Sequence, residues 1–267
     1  MSKKFLQFNT LLLVFYIFSA FSYSPAYSGN KNLLTATKVN DEISFAVKTQ
    51  AFETYLLQVY EQAALDKTNL NLTVFRKAMV GYYNLQRNAH LVMKPLLTVI
   101  DFSRSSCQKR LWVIDLKTNK LLYHTWVAHG KGTGNEFARY FSNEPNSFKS
   151  SLGFYLTAQT YQGKHGLSLK LNGLDKNFNT NALARAVVMH GADYVSENFV
   201  KQHGRLGRSL GCPALPVKET PAIINKIKNN ACLYIYGSDQ KYASPYLTEA
   251  TAIDSFATKF FALKSAS

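Results

Sequence analysis

The sequence reads Ala186-Val-Val-Met-His-Gly-Ala192 and, further along, Gly207-Arg-Ser-Leu-Gly-Cys-Pro213. The first stretch is typical of a buried strand that ends at His190, and a rigid scaffold presents side chains to solvent where its strands end. Gly191, the next residue, has no side chain and lets backbone approach a ligand closely. The placement of His190 therefore suits a catalytic base.

Cys212, in the second stretch, lies between Gly211 and Pro213. A cysteine attacks as the thiolate, and its ordinary pKa of ~8.5 keeps most of it protonated at neutral pH, so a neighbouring imidazole is its usual activator. Pro213 fixes the backbone after the thiol. The N–H groups of Gly211 and Cys212 are candidate donors to the oxyanion of an acyl transfer. We therefore predict Cys212 as nucleophile, His190 as base and Gly211 as part of the catalytic turn.

Two further residues of the second stretch are predicted to serve the same site. Ser209 is suited to brace the turn through its hydroxyl, and Arg208 is suited to bind a substrate carboxylate with two parallel hydrogen bonds. A cysteine and a histidine are commonly structural residues, so on the pair alone an inert cysteine remains the alternative.

The chain after Pro95 is rich in strand formers, whereas the chain before it has helical periodicity. Apolar residues recur at three-to-four spacing between Thr49 and Asn88, and a polar turn at residues 66–71 divides this segment into two helices. A short helix is predicted at Pro221–Lys228. Strands are predicted at Leu96–Phe102, Lys109–Leu116, Leu121–Ala128, Gly153–Thr157, Leu167–Leu171, Ala186–Met189 and Cys232–Tyr236. The predicted fold class is mainly β, a sandwich or barrel, with an N-terminal helical segment.

Residues 1–28 have the order of a secretory signal. Lys3 and Lys4 precede an apolar run at Leu11–Phe18, and small residues follow up to Ser28. The run is short for a helix that spans a bilayer, so we predict removal near Ser28, with a retained anchor as the alternative. Export to the periplasm or cell envelope, without stable membrane insertion, follows from this interpretation.

The chain is strongly basic, with 31 Lys and Arg residues against 16 Asp and Glu residues. Loss of Lys3 and Lys4 lowers the net charge of +15 by two and leaves +13. This charge favours a polyanionic partner such as a carboxylate-rich wall polymer, although it also serves solubility. Export and the scattered positions of the basic residues argue against nucleic acid.

Neither a cofactor nor a metal is predicted. The sequence has no P-loop, no paired zinc-type cysteines and no set of histidines and acids with metal-ligand spacing. Three cysteines are an odd number in an oxidising compartment, so at least one is expected to be unpaired. Whether Cys107 and Cys232 pair is left open, as is the oligomeric state.

The stretch from Ser151 to Pro213 resembles the catalytic domain of the murein L,D-transpeptidases, the YkuD-like enzymes. Several separate blocks match in order, which is more specific than one short motif. The sequence departs from the commoner family pattern at Leu210, where a histidine is usual, and at Ala214, where a polar or basic residue is usual. The matching blocks are Ser151-Leu-Gly-Phe-Tyr155, Tyr161-Gln-Gly-Lys-His-Gly166, Leu171-Asn-Gly-Leu174, Arg185, His190-Gly-Ala-Asp-Tyr194 and Gly207-Arg-Ser-Leu-Gly-Cys-Pro-Ala214.

This resemblance implies a β-sandwich catalytic domain over residues 95–237. With it, the chain divides into the signal at 1–28, a linker and helical segment at 29–94, the catalytic domain, and a C-terminal tail at 238–267. For the tail, its aromatic residues leave a docking helix as an alternative.

The resemblance also implies a ping-pong reaction. Cys212 attacks the carbonyl of the third residue of a peptidoglycan stem tetrapeptide, releases the terminal D-alanine and forms a thioester; an amine of a second stem then takes the acyl group to give a 3-3 crosslink. Gly191, Tyr194 and His165 are the implied substrate-contacting residues, with packing the alternative for Tyr194 and a structural hydrogen bond the alternative for His165. Thioester hydrolysis, as in an L,D-carboxypeptidase or an amidase, and non-catalytic wall binding are the alternative functions.

Overall fold

The computed structural model describes residues 43–87 and 91–265. The predicted signal at 1–28 and the first part of the predicted linker therefore lie outside the described residues. No helix within these two ranges is long and apolar enough to cross a bilayer.

Three helices form one layer: α1 (Phe45–Gln62), α2 (Leu72–Leu85) and α5 (Glu249–Ser265). The side chains of Ser44 and Asn71 cap the first turns of α1 and α2 by accepting backbone N–H groups. Phe52 of α1, Tyr83 of α2 and Phe256 of α5 meet edge to face, with ring centroids 5.2 to 5.9 Å apart. The C-terminal segment therefore forms a helix that docks on the other two.

A mixed sheet of eight strands packs against this layer. Its strands are β1 (Leu96–Asp101), β2 (Leu111–Asp115), β3 (Lys120–Thr125), β4 (Gly153–Gly163), β5 (Gly166–Gly173), β6 (Val188–Gly191), β7 (Ala214–Leu215) and β8 (Cys232–Tyr236). They lie in the order β3-β2-β1-β8-β4-β5-β6-β7, with β1–β8 and β6–β7 parallel and the other pairs antiparallel. Ala128, just beyond β3, bridges to Ala214, so the two ends of the sheet meet in a nearly closed, barrel-like sandwich. The predicted fold class, mainly β with an N-terminal helical segment, is confirmed.

Alternation along β1 divides its apolar side chains between two cores. Leu97 and Val99 belong to the core under the helical layer, whereas Leu96 and Ile100 belong to the interior of the sandwich. Helix α4 (Thr220–Ile227) adds its three isoleucines to the interior core. The sheet is thus buried on both faces and forms a rigid support for the residues at its edge.

Three short elements were not predicted: β7, helix α3 (Glu197–His203) and the 3₁₀ turn Pro245–Leu247. The hydroxyl of Ser196 caps the start of α3, and Gly204, with φ 67°, ends it. Strands β4 and β5 are longer than predicted and meet in a tight turn that carries His165. Both β7 and this turn bring chain to the edge of the sheet where β6 ends.

Candidate active site

Cys212 lies beside the strand that carries His190. Parallel pairing of β6 with β7 sets His190 opposite Ala214, two residues after the cysteine. The Cys212 Sγ accepts the backbone N–H of Val188 at 3.4 Å and lies 3.7 Å from the carbonyl oxygen of Ala186. The structure therefore brings the residues predicted as nucleophile and base to the same strand, β6.

The environment of Cys212 favours the neutral thiol. Burial raises the pKa of the thiol, while the N–H of Val188 and the positive charge of Arg185 oppose that rise. The side chain is nevertheless not fully enclosed and keeps part of its surface exposed. Attack by this sulfur requires a base that removes its proton.

Arg185 anchors the connection between β3 and β4 next to the thiol. Its guanidinium donates to the carbonyl oxygens of Ser142 at 2.7 Å and Lys149 at 2.6 Å, and also to the hydroxyl of Ser151. Burial lowers the pKa of Arg185, and the charge of Cys212 is among the effects that raise it. The guanidinium is therefore a structural anchor whose charge also acts on the thiol of Cys212.

His190 is oriented by backbone and covered by a second imidazole. Its Nδ1 lies 2.9 Å from the carbonyl oxygen of Gly191, and because a carbonyl only accepts, Nδ1 carries the proton and Nε2 keeps its lone pair. His165 stacks on His190 with ring centroids 4.5 Å apart and planes inclined by 23°. Burial lowers the pKa of His190 against the opposing hydrogen bond to Gly191, and His165 and Lys164 lower it further. The ring is neutral at neutral pH and able to accept a proton.

Two serine hydroxyls hold the Cys212 turn. Ser209 Oγ donates to the carbonyl oxygen of Cys212 at 2.6 Å and accepts the N–H of Gly211 at 3.0 Å. Ser150 Oγ donates to the carbonyl oxygen of Gly211 at 3.1 Å and accepts the N–H of Gly130 at 3.0 Å. Each hydroxyl thus uses its proton and a lone pair to fix the backbone around Cys212.

Gly211 has a backbone conformation, φ 128°, that L side chains rarely adopt, and a Cβ there would lie 2.9 Å from the carbonyl oxygen of Lys149. Its N–H is taken up by Ser209. By contrast, the N–H of Cys212 has no acceptor within the part of the chain that the structure describes. The Cys212 amide is therefore an open donor beside the thiol, and a direct role of the Gly211 amide in oxyanion stabilisation stays a prediction.

Arg208 is tied to the loop that follows β3. Its Nη1 donates to the carbonyl oxygen of Gly134 at 3.1 Å and to the amide oxygen of Asn135 at 2.7 Å. The neighbouring Leu210 projects into solvent. Part of the guanidinium is therefore already engaged within the protein. The contact of Arg208 with a substrate carboxylate stays a prediction.

Tyr194 and Gly191 are packed into the scaffold around the turn. A Cβ at Gly207 would meet the Cβ of Tyr194 at 2.4 Å, and a Cβ at Gly191 would lie 3.0 Å from the hydroxyl of Thr220. Burial raises the pKa of Tyr194 to about 12, and the charge of Cys212 adds to that rise. Tyr194 therefore lies close enough to Cys212 for the charge of the sulfur to raise the pKa of the phenol.

Arg110 and His129 support the turn from the core, and the sequence did not predict them as part of the site. Arg110 is completely buried and donates to the carbonyl oxygen of Val127 at 3.1 and 3.0 Å and to Nδ1 of His129 at 2.8 Å. The carbonyl oxygen of His129 accepts the N–H of Ser209 at 3.0 Å. Burial, followed by the charge of Arg110, lowers the pKa of His129 to about 3. The one sequence signal for this support is the glycine-rich run after His129, residues 130–134.

The three cysteines are all unpaired: Cys107 and Cys212 are partly buried and Cys232 is buried. Over residues 43–87 and 91–265, no group of three or more His, Cys, Asp or Glu side chains is placed to hold a metal ion.

The sequence profile of the L,D-transpeptidase catalytic domain matches residues 66–236, which take in α2 and the whole sheet. The chain belongs to this family. Among curated proteins, none matches it.

Several solved structures are similar to the chain at low sequence identity. An L,D-transpeptidase from Mycobacterium smegmatis is 12% identical, with a TM-score of 0.34 over 54% of this chain and 59% of that one. The helical cell shape determining protein Pgp2 from Campylobacter jejuni is 10% identical, with a TM-score of 0.39 over 69% of this chain and 64% of that one. L,D-transpeptidase 3 from Mycobacterium tuberculosis is 9% identical, with a TM-score of 0.31 over 52% and 60%. The chain spans about three fifths of the length of these structures.

Proposed function

We propose that the chain is an exported cysteine acyltransferase that joins peptidoglycan stem peptides by 3-3 crosslinks through a thioester on Cys212. The observation that carries this proposal is the contact of the Cys212 Sγ with β6, the strand on which His190 lies. A partly exposed thiol, a neutral imidazole with an unprotonated Nε2 and an open amide donor are the components that thiol acyl transfer needs. Membership of the L,D-transpeptidase catalytic domain family supports a transpeptidase-type function.

In the acylation half-reaction, Nε2 of His190 takes the proton of the Cys212 thiol, and the sulfur attacks the carbonyl carbon of the third stem residue. The carbonyl oxygen becomes negative and accepts the N–H of Cys212. When the tetrahedral intermediate collapses, the C–N bond to the terminal D-alanine breaks, and the proton on His190 passes to the leaving amine. The products are a thioester on Cys212 and free D-alanine.

In the second half-reaction, the amine of another stem attacks the thioester carbon and loses a proton to His190. The C–S bond then breaks, the sulfur regains that proton from His190, and a new amide joins the two stems. Because burial lowers the pKa of His190, the imidazole is neutral at the start of each half-reaction and able to act as base in both.

L,D-carboxypeptidase activity is the second candidate. The Cys212 side chain keeps part of its surface exposed, so water is able to compete with an amine for the thioester. Hydrolysis uses the same residues and releases a tripeptide in place of a crosslinked dimer. An amidase that cuts wall crosslinks would differ only in the amine that leaves.

The proposed substrate and the proposed compartment agree with each other. An enzyme that acts on peptidoglycan works outside the cytoplasm, as the predicted secretory signal requires. The net charge of +15, or +13 after loss of the two signal lysines, suits a polymer rich in carboxylates. Peptidoglycan stem peptides are therefore the proposed partners, and nucleic acid is not.

Intact-protein mass spectrometry with a purified disaccharide tetrapeptide tests the proposal. The mature wild-type chain is compared with Cys212→Ala and with Cys107→Ala, a matched control because Cys107 is also unpaired and partly buried. We expect a transient acyl adduct on the wild type and on Cys107→Ala, none on Cys212→Ala, and 3-3 dimers among the products.

The products separate the candidate functions. Tripeptide without dimers would identify the carboxypeptidase. The absence of both adduct and turnover, with retained binding to isolated wall, would overturn the enzyme proposal in favour of a non-catalytic wall-binding protein.

A further inference from the structure

Phe148 is held in a backbone conformation that its side chain does not favour. Its φ of 54° is in the left-handed region, where bulky residues are rare. The backbone is fixed there because its carbonyl oxygen accepts the N–H of Gly132 at 2.8 Å. A Cβ on Gly130 would lie only 2.4 Å from the same oxygen, so a glycine is required for this approach.

Burial of the Phe148 ring does not account for this conformation. The side chain is 38% exposed and belongs to none of the hydrophobic cores. Strained residues of this kind cluster where proteins bind ligands. The ammonium of Lys131 lies over one face of the Phe148 ring, 4.3 Å from the ring centroid.

Lys131 is joined directly to the nucleophile turn. Its backbone N–H donates to the carbonyl oxygen of Ser209 at 2.8 Å, three residues before Cys212. Its side chain is exposed and forms no ion pair with a carboxylate in the described part of the chain. The nearby guanidinium groups differ, because Arg208 and Arg185 both donate to protein oxygens.

We infer that Lys131 and Phe148 form a binding site for the free terminal carboxylate of the acyl-donor peptide, on the residue that leaves when Cys212 is acylated. This inference rests on the proposed function, since it names how that site recognises its donor. The leaving residue carries its carboxylate one residue beyond the scissile bond, a reach of about 3.5 Å in extended chain. Lys131 supplies the cation beside the turn, and the Phe148 ring orients the ammonium and offers apolar surface to the short side chain next to the carboxylate.

A second pair of the same kind borders the site. The Nζ of Lys149 lies 5.8 Å from the ring centroid of Tyr140, and both Tyr140 and the ring of Phe148 are exposed. The ammonium of Lys149 is farther from the Tyr140 ring than the ammonium of Lys131 is from the Phe148 ring. The backbone oxygen of Lys149 also accepts a hydrogen bond from Arg185. Lys131 is therefore the residue on which the recognition of the carboxylate depends.

Steady-state kinetics with two donor peptides test this inference. One peptide has a free C-terminal carboxylate and the other a C-terminal amide, and both carry the same scissile bond. For the wild type, we expect the KM of the amide to be about fivefold higher, the ratio for a partly solvated ion pair, with little change in kcat. Lys131→Ala should raise the KM of the carboxylate peptide by the same factor and remove the discrimination, whereas Lys131→Arg should retain it. Lys117→Ala, an exposed lysine in the β2–β3 turn, is the matched control and should change neither value.

Phe148→Gly separates binding from folding. Glycine adopts a positive φ without strain, so this variant should melt at or above the wild-type temperature while its KM for the carboxylate peptide rises. Equal KM values for both peptides in the wild type, or discrimination that survives in Lys131→Ala, would overturn the inference and leave the proposed function standing. A wild type that converts neither peptide and gains no acyl adduct would overturn the proposed function as well.

Discussion

Arg110 Nη2 lies 2.8 Å from Nδ1 of His129, and both side chains are buried. The guanidinium only donates, so Nδ1 accepts and the remaining proton of the imidazole is on Nε2, which lies 3.3 Å from the carbonyl oxygen of Gly134. The backbone of His129 in turn accepts the N–H of Ser209. A neutral, buried histidine is thus part of the support of the turn that carries Cys212.

This arrangement predicts a loss of stability in acid that depends on His129. Burial and Arg110 lower the pKa of His129 to about 3 in the folded chain, while in the unfolded chain it is near 6.5. The unfolded state therefore binds the proton first, and the stabilisation is complete above pH 6.5 and lost as the pH falls towards 3. We expect the free energy of unfolding to fall by about 2 kcal/mol between pH 6.5 and 4.5 on account of this residue.

Urea denaturation at several pH values measures that effect. In His129→Asn an amide oxygen takes the place of Nδ1 as the acceptor for Arg110, and the asparagine side chain does not titrate. The free energy of unfolding should therefore depend less steeply on pH than in the wild type. Equal slopes for wild type and His129→Asn would contradict the prediction.

Gly211→Ala should abolish most of the activity. Alanine does not favour the φ of 128° that the backbone has at this position, and its Cβ would lie 2.9 Å from the backbone oxygen of Lys149. The turn that carries Cys212 must therefore move. A displacement of this kind costs about a hundredfold in kcat. Gly204→Ala is the control, because it also has a positive φ, 67°, but nothing lies within 4 Å of its Cβ. That variant should lose about 1 kcal/mol of stability and keep its kcat.

Ser209→Ala should lower both stability and thiol reactivity. The hydroxyl holds the N–H of Gly211 and the carbonyl oxygen of Cys212, and its removal leaves a buried N–H without an acceptor at a cost of about 1 to 3 kcal/mol. We expect slower alkylation of Cys212 by iodoacetamide, measured by mass spectrometry of the modified peptide. Ser196→Ala removes the cap of α3 and provides a variant of similar destabilisation, about 1 kcal/mol, whose Cys212 should react at the wild-type rate. Parallel losses in the two variants would refute a local effect.

Local sequence patterns predict much of the fold. The run at residues 96–102 alternates between two apolar cores, and β1 follows it closely; residues 49–88 keep a helical period on either side of a polar turn. Strand β7 has two residues, Ala214–Leu215, which are too few for any periodicity. It forms because β6 and the chain after β3 both pair with it. Such long-range pairing cannot be predicted from the local sequence.

The candidate site was predictable only where chemistry and motif coincide. Cys212, His190 and Ser209 stand in distinctive sequence surroundings, and the structure brings them together. Arg110 has no such signal, because a basic residue near the start of a predicted strand is ordinarily assigned to solvent. Its burial depends on carbonyl oxygens at Val127 and elsewhere that become neighbours only when the sheet closes.

The stacked pair His165 and His190 predicts a shift in the pH dependence of the reaction. In the proposed mechanism His190 acts as the base and must be neutral, and burial, with a smaller effect of His165, lowers the pKa of His190 below its ordinary 6.5. His165→Ala admits water and removes a neighbouring charge, so the pKa of His190 rises and the acid limb of kcat/KM moves to higher pH. The variant should lose activity at pH 6 and retain it at pH 8.

His165→Phe keeps a stacked ring over His190 without a titrating group, and its acid limb should stay near that of the wild type. If both variants shifted the limb equally, burial by the ring would not be the main cause; an unshifted limb in His165→Ala would show that the stacked ring does not control the base.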